Sequence, residues 1–403
     1  MNQQQTGHRW IILLILFLSQ VILSLAAYAW GPLGPFLKKS LLLNHVQIGS
    51  LTSTLYLSSV IFGIPAGISV DRWGVKLNLF ICLALTGLAM TAAGFINQYT
   101  LLVMVSAVAG ASYGMINPIA SKGLTLWFDH TFRATAFGIR QMGVTAGGAV
   151  AGVLLIYLAQ ARSWHTAVLV VGFTAISMGI IGLLFYKDVP VDTNLSVRKG
   201  PKQKTGLLEL MKNRNLMSAS VMMAFLGLGQ SSISAFWVLF LKEHLNFTPM
   251  LAGTFLAVTM VSGGAGRIVW GIISDRIFEG RRLPVMKIVC AMAIAGTLAT
   301  CFWSPGLPLY LSFFVAAILG FSFLGYQGVA VVIMVEACDP ESAGRATGIG
   351  VTIAWVGMVL GPVLFGIIIR FGYPAAWFSI VLTSVIAIFL CYIIQETKHE
   401  AHS

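Results

Sequence analysis

Long apolar runs, each close to twenty residues, alternate with short polar stretches along nearly the whole chain. They fall at 11–33, 47–69, 77–96, 101–122, 135–159 and 165–186, then at 216–241, 249–273, 285–303, 308–334, 347–369 and 375–395. A hydrocarbon core about 30 Å thick needs about twenty helical residues, so each run predicts one membrane span. The runs are too long and too uniformly apolar for the alternating ten-residue strands of a membrane barrel. The longest polar stretch, Lys187 to Arg214, separates the sixth run from the seventh. The pattern predicts an all-α polytopic membrane protein, with twelve transmembrane helices in two pseudo-symmetric six-helix bundles. The expected divisions are 1–186, a basic linker at 187–214, and 215–403. The first run has no small-residue cleavage site and reads as a retained helix.

The halves repeat. Gly67-Ile68-Ser69-Val70-Asp71-Arg72 after span 2 matches Gly271-Ile272-Ile273-Ser274-Asp275-Arg276 after span 8. Arg133-Ala134-Thr135 after span 4 matches Arg345-Ala346-Thr347 after span 10. Parallel six-helix repeats around a midplane site are the layout of a rocking carrier.

Composition agrees with the pattern. Hydrophobic residues make up 57% of the chain, charged residues 9%, and the net charge is +12. Soluble domains carry roughly a quarter charged residues. The excess positive charge lies mainly in the loops, where it sets topology and does not mark a nucleic-acid surface. With both termini cytoplasmic, five Lys or Arg lie outside (Lys38, Lys39, Arg162, Lys242, Arg370) and nineteen inside, with Arg267 between them. The expected location is the inner (cytoplasmic) membrane. The five cysteines form no CxxC pair and the histidines show no ligand spacing, so neither a metal nor any other cofactor is expected. A phosphate-cradling loop and a nucleophile constellation are also lacking, which excludes an enzyme.

Arg267 is the exception within the apolar runs. It stands eight residues before the Asp275-Arg276 pair, about 12 Å inside the membrane. A charge at that depth is costly and marks a functional position, unless it snorkels or pairs with a backbone carbonyl. Small residues Ser262 to Gly266 precede it and allow close helix approach. Its repeat-equivalent is Gly63, so the halves share their loops but not this charge. All thirteen acidic residues fall in loops or at helix ends, which disfavours a cation exporter. A guanidinium can fork onto a carboxylate, so an anion is the natural ligand.

Gly67-x-x-x-Asp71-Arg72-Trp73-Gly74-Val75-Lys76 resembles the loop 2–3 signature of the major facilitator superfamily, and the second copy at Gly271 strengthens the match. The resemblance covers the whole chain. It implies that Asp71, Arg72, Arg133, Asp275, Arg276 and Arg345 hold one face shut, with Asp71 and Asp275 capping helix ends or pairing with Arg133 and Arg345. Gly266-Arg267-x-x-x-Gly271-x-x-x-Asp275 resembles the eighth helix of the monocarboxylate and oxalate/formate carriers. By the same resemblance Tyr28, Asn117, Tyr326 and Trp355 line the substrate cavity. The second cation of oxalate exchangers is replaced by Met358. Arg140, about a turn inside span 5, lines the vestibule, acts as a second substrate cation, or snorkels. Gly31-Pro32 and Gly34-Pro35 read as the end of span 1. Glycines of span 5 (Gly143, Gly147, Gly148, Gly152) and span 11 (Gly357, Gly361, Gly366) predict close packing and sliding at the interface between the halves.

The expected function is a monomeric symporter that carries a small organic anion, such as lactate or pyruvate, by alternating access with a coupled proton. The alternative is an exchanger of oxalate-like dicarboxylates or inorganic anions such as nitrate. A membrane sensor without turnover is the reading from another class.

Overall fold

The computed structural model describes residues 3–188, 207–338 and 343–395. Most of the expected linker, at 189–206, and the side chain of Arg345 lie outside the described residues. Every regular element among the described residues is helical. Eleven helical stretches among the described residues are long and apolar enough to cross a membrane.

One of them, α3 (His45–Ala93), has 49 residues. At about 1.5 Å per residue it is more than twice the length a bilayer needs. It is broken at Gly74, whose φ of 80° and ψ of 177° are not helical, and therefore supplies two crossings. The twelve expected spans are all present.

The break lies inside the Asp71–Lys76 signature and has identifiable ties. Asn78 Nδ2 donates to the carbonyls of Gly74 (2.7 Å) and Ser69 (3.1 Å). Beyond the break the new helix presents unpaired N–H groups, and an anion meets them: Asp188 Oδ1 accepts from Val75 N and Lys76 N, each at 3.2 Å. The other end of α3 opens with a capping box between Asn44 and Gln47.

The chain forms two compact units: Met1–Val191 with Ser234–Met260, and Asp192–Ile233 with Val261–Ser403. In the first, α1 (Gln3–Ala27) and α2 (Trp30–Leu41) form span 1. Helix α4 (Tyr99–Trp127) is span 4. Helix α5 (His130–Val150), a π turn at Ala151–Leu155 and α6 (Ile156–Ala161) make span 5, and α7 (Trp164–Phe185) is span 6. Short α8 (Leu207–Lys212) precedes α9 (Arg214–Glu243), which is span 7, and α10 (Pro249–Ile272) begins span 8. Span 9 is α11 (Arg282–Cys301), and span 10 is α12 (Leu309–Phe323) plus α13 (Gln327–Glu336). Spans 11 and 12 are α14 (Ala343–Ile368) and α15 (Tyr373–Ile393).

Span 1 does not end at Gly31-Pro32 or Gly34-Pro35; the helix continues to Leu41. The chain breaks earlier, at Tyr28-Ala29, so Pro32 falls in the first turn of α2, where a missing N–H leaves no hydrogen bond unmade. Gly31 is needed for contact: a Cβ there would stand 2.0 Å from the Ser234 carbonyl oxygen.

Glycines set the packing in both units. A Cβ at Gly147 would lie 2.3 Å from Val21 O, seating span 5 on span 1. One at Gly357 would lie 1.8 Å from Ala224 O, seating span 11 on span 7. Cβ atoms at Gly110 and Gly114 would meet Leu55 O and Ser59 O, closing span 4 on span 2. Gly147 and Gly357 therefore each close a pair of spans within one unit, and the two contacts are repeat-equivalent.

Gly74→Ala is expected to cost about 1–3 kcal/mol, because its φ and ψ fall where essentially only glycine is comfortable. The Asp188 carboxylate, 2.9 Å from the added Cβ, would also have to move. A lowered melting temperature of the purified variant is the readout, and an unchanged one would show that the kink relaxes freely.

Candidate functional site

The depth of Arg267 follows from α10. Ten residues separate it from the end of the membrane-length stretch Pro249–Ile277, about 15 Å along the axis. One face of the helix carries Gly263, Gly266, Arg267 and Trp270. Cβ atoms on the two glycines would lie 3.1 and 2.8 Å from the Gly320 and Phe321 carbonyl oxygens, so span 8 lies against span 10 with little between them. Trp270 Nε1 donates to Phe321 O at 2.9 Å and fixes the register.

Span 10 is open at that point. Residues 324–326 break it between α12 and α13. Arg267 Nε donates to the Leu324 carbonyl at 3.0 Å, and its Nη2 donates to Gln327 Oε1 at 2.8 Å. Gln327 Nε2 passes the chain on to Gln230 Oε1 of span 7 at 3.1 Å. A guanidinium at mid-depth costs about 2.5–3.5 kcal/mol in a translocon-based scale, and hydrogen bonds to charged groups return about 1.5–3 kcal/mol each. These partners therefore suffice to hold the charge at this depth. Backbone pairing, one of the plain readings of this arginine, is present alongside a side-chain network.

In the other unit Arg140 is buried. Its Nη1 donates to Asn117 Oδ1 of span 4 at 3.0 Å and to Gln141 Oε1 at 2.9 Å. A buried guanidinium bonded to an exposed amide is not a snorkelling side chain. The structure thus brings Arg140 and Asn117 together and gives each unit an arginine bonded to an amide, on span 4 in one case and on its repeat-equivalent, span 10, in the other.

Tyr28 sits in the gap between α1 and α2, and Tyr56 has Tyr28, Ser234 and Tyr113 as neighbours. Tyr326 OH donates to Met223 O at 3.4 Å and is buried, which makes it a strut of the span 10 break. Trp355 is half-buried on α14. Gln327, Gln230, Tyr56, Tyr113 and Gln141 escaped sequence reasoning. Gln327 and Gln230 had a signal, being amides in the middle of apolar runs.

Asp71 pairs with a residue other than the expected Arg133, and the expected partner of Asp275, Arg345, has its side chain outside the described residues. Asp71, 80% exposed, bonds Lys122 at 3.1 Å, and Lys122 also donates to Val70 O. Arg133 turns instead to the carbonyls of Phe128 and Thr125 at 3.3 Å each, which satisfies the end of α4. Asp275 lies in a π turn, Ile273–Ile277, and takes Arg282, which also reaches Ser274 and Glu336. Arg72 and Arg276 are exposed. Local geometry decides both pairs: Lys122 and Arg282 stand beside the aspartates, while Arg133 is taken up by the carbonyls that end its neighbouring helix. Among the described residues no group of three or more His, Cys, Asp or Glu could hold a metal.

The family model for the Major Facilitator Superfamily matches residues 16–353. The chain belongs to that superfamily. Among its relatives are a hexuronate transporter of Bacillus subtilis (22% identical, 89% of this chain and 87% of that one) and a membrane sensor protein, UhpC, of Salmonella typhimurium (22%, 87% and 83%). A probable sulfoacetate transporter, SauU, of Cupriavidus necator is 24% identical over 88% of this chain and 84% of its own. A bacterial homolog of the human lysosomal transporter Spinster, solved inward-facing and unoccupied, superposes with a TM-score of 0.79 at 18% identity over 96% of each chain, a likeness of fold. The superfamily expectation holds, and the protein is a multi-pass membrane transporter, not an enzyme. The monocarboxylate branch is not what these relatives are named for.

The exposure of Asp71 limits its pairing energy. A double-mutant cycle of Asp71→Asn with Lys122→Met is expected to give a coupling of about 0.2–1 kcal/mol in stability, shrinking with added salt. A salt-independent coupling of several kcal/mol would mean that the pair is sealed from solvent.

Proposed function

We propose that this protein carries a small organic monocarboxylate by alternating access, with Arg267 holding the carboxylate, and that the cargo is a hydroxylated acid of sugar-acid size. The observation that carries this reading is a mid-depth guanidinium in a chain whose acidic residues all lie at loops or helix ends. Its amide relay supports a polar cargo. Gln327 and Gln230 offer both donors and acceptors, more than lactate or pyruvate would use and well matched to several hydroxyls. The hexuronate relative points the same way. In the other unit the Tyr28–Tyr56–Ser234 group is a second set of neutral hydrogen-bonding groups.

Binding neutralises Arg267, and the loaded carrier then changes its open side. On this reading Asp71 with Lys122, and Asp275 with Arg282, are ties at the cytoplasmic face that exchange partners during the cycle. Arg72, Arg133, Arg276 and Arg345 are secondary members of those faces. The location is the inner membrane with both termini cytoplasmic, and the unit of function is a monomer organised as 1–186, a linker at 187–214, and 215–403.

A second reading has its own observation. Arg140 is a second guanidinium within the spans, and a buried one, and a doubly charged cargo, a dicarboxylate or an organic phosphate or sulfonate, calls for two cations. Exchange would then replace symport, with inorganic anions such as nitrate as simpler cargo.

Proteoliposomes loaded and challenged with labelled glucuronate, lactate, oxalate, glucose 6-phosphate and nitrate separate these readings. Glucuronate uptake is expected in the native protein, with Arg267→Gln weakening binding by about 10–100-fold, the value of one charge-assisted hydrogen-bonded contact. Near-normal uptake by that variant, while still folded, would remove Arg267 as the site. Oxalate or phosphate-ester exchange that collapses in Arg140→Gln would favour the second reading. Thermal stabilisation by ligand without flux would assign a sensing role.

A further inference from the structure

By the parity of the spans, twelve of the thirteen acidic residues lie on the side of the signature loops, in the linker or in the tails. Glu243 alone lies at the opposite end, where α9 finishes. It does not stand in isolation. Lys38 Nζ donates to its Oε1 at 2.7 Å, and His45 Nε2 lies 3.0 Å from its Oε2. Lys38 Nζ and His45 Nε2 are themselves 3.1 Å apart. All three belong to the first unit and are between a fifth and about a third exposed, so protons from solvent reach them.

The geometry contains a contest. One imidazole nitrogen faces both an ammonium and a carboxylate. As a bare lone pair it accepts from Lys38; carrying hydrogen it donates to Glu243; it cannot do both. Imidazole is also the side chain whose ordinary titration falls between pH 5 and 8. Other titratable groups at this end have different neighbours. Lys39 is exposed, Lys242 follows on α9, and His244 stacks on Phe240 at 5.5 Å. His165 bonds Asn97, and Tyr99 bonds Ser50. The Phe236 ring, tilted at 6.5 Å from His45, brings no charge.

We propose that Lys38, His45 and Glu243 form a proton-binding site facing the outside. The inference rests on the topology given above, with the signature loops cytoplasmic. A proton from outside water adds to the lone pair of His45 Nε2. The Lys38 N–H···Nε2 bond is lost, the new N–H donates to Glu243 Oε2, and two cations now crowd one carboxylate. Lys38 leaves, keeping its charge. A tie between spans 1 and 7 thereby becomes a tie between spans 2 and 7. Span 1 carries Tyr28 at its break, so the outer end of that helix is released when external pH falls.

The test needs no substrate, so it stands apart from the cargo assignment. Spin labels placed at positions 39 and 248, in a background lacking native cysteines, report the separation between the end of span 1 and the start of span 8 in lipid nanodiscs. Between pH 8 and pH 5 the wild-type distance distribution is expected to shift to longer separations with a single-proton midpoint. His45→Gln, which bonds without titrating, is expected to lose the shift. Lys38→Met, which leaves imidazole and carboxylate in place, is expected to show the long separation throughout. A wild-type distribution unmoved between pH 5 and pH 8, or a Lys38→Met variant that keeps the wild-type midpoint and amplitude, would overturn the proposal. Should His45→Gln fail to fold, these two results still decide it.

Discussion

A guanidinium at mid-membrane depth has to be held by something, and in this protein it is held by a helix that fails to be continuous. The bond from Arg267 Nε to the Leu324 carbonyl exists because residues 324–326 interrupt span 10. The interruption is reachable because Gly263 and Gly266 let span 8 lie against it. Trp270 on Phe321 fixes the sliding register. Broken helix, small-residue seam and half-buried cation form one constraint: filling the seam would carry Arg267 away from Leu324 and Gln327. Irregular backbone at membrane depth is tolerated where protein or a water-lined cavity satisfies it, and a side-chain cation is one such partner.

The same constraint explains how the two repeats diverge without losing their common frame. Spans 2 and 4 close on each other through Gly110 and Gly114, and spans 8 and 10 through Gly263 and Gly266. In the second pair Gly325 of span 10 also faces Gly266, so the distribution of small residues differs while the close crossing persists. What the seam presents has changed more. In one repeat an amide on span 4 receives Arg140 of span 5; in the other an amide on span 10 receives Arg267 of span 8. A repeat thus preserves which helices touch and leaves free which of them brings the charge.

Much of this was legible in the sequence, for a physical reason. Spans are written in runs of about twenty apolar residues, and a lone arginine in such a run stands out by cost alone. The Gly67–Lys76 signature and its echo fixed the repeat. Other features were not legible. Gly31-Pro32 looks like a helix end when read locally, yet tertiary contact with Ser234 and the earlier break at Tyr28 make it the first turn of a new helix. The partner of Asp71 was not legible because sequence spacing says nothing about side-chain reach: Lys122 stands beside it, while Arg133 is drawn to the carbonyls of its neighbouring helix end. Amides such as Gln230 were overlooked because a single neutral polar residue barely lowers the apolarity of a run.

The distribution of charge ties these observations together. A carrier of anions gains nothing from acids at mid-depth, where they would compete with cargo for the fixed cation. Twelve of the acids are accordingly found beside the basic loops. There, partly exposed pairs such as Asp71 with Lys122 are weak enough to exchange partners at little cost. Glu243 breaks the pattern, and the Lys38 ammonium beside it, with the His45 imidazole, shows how a single acid can be kept at the far end: it is neutralised where it stands.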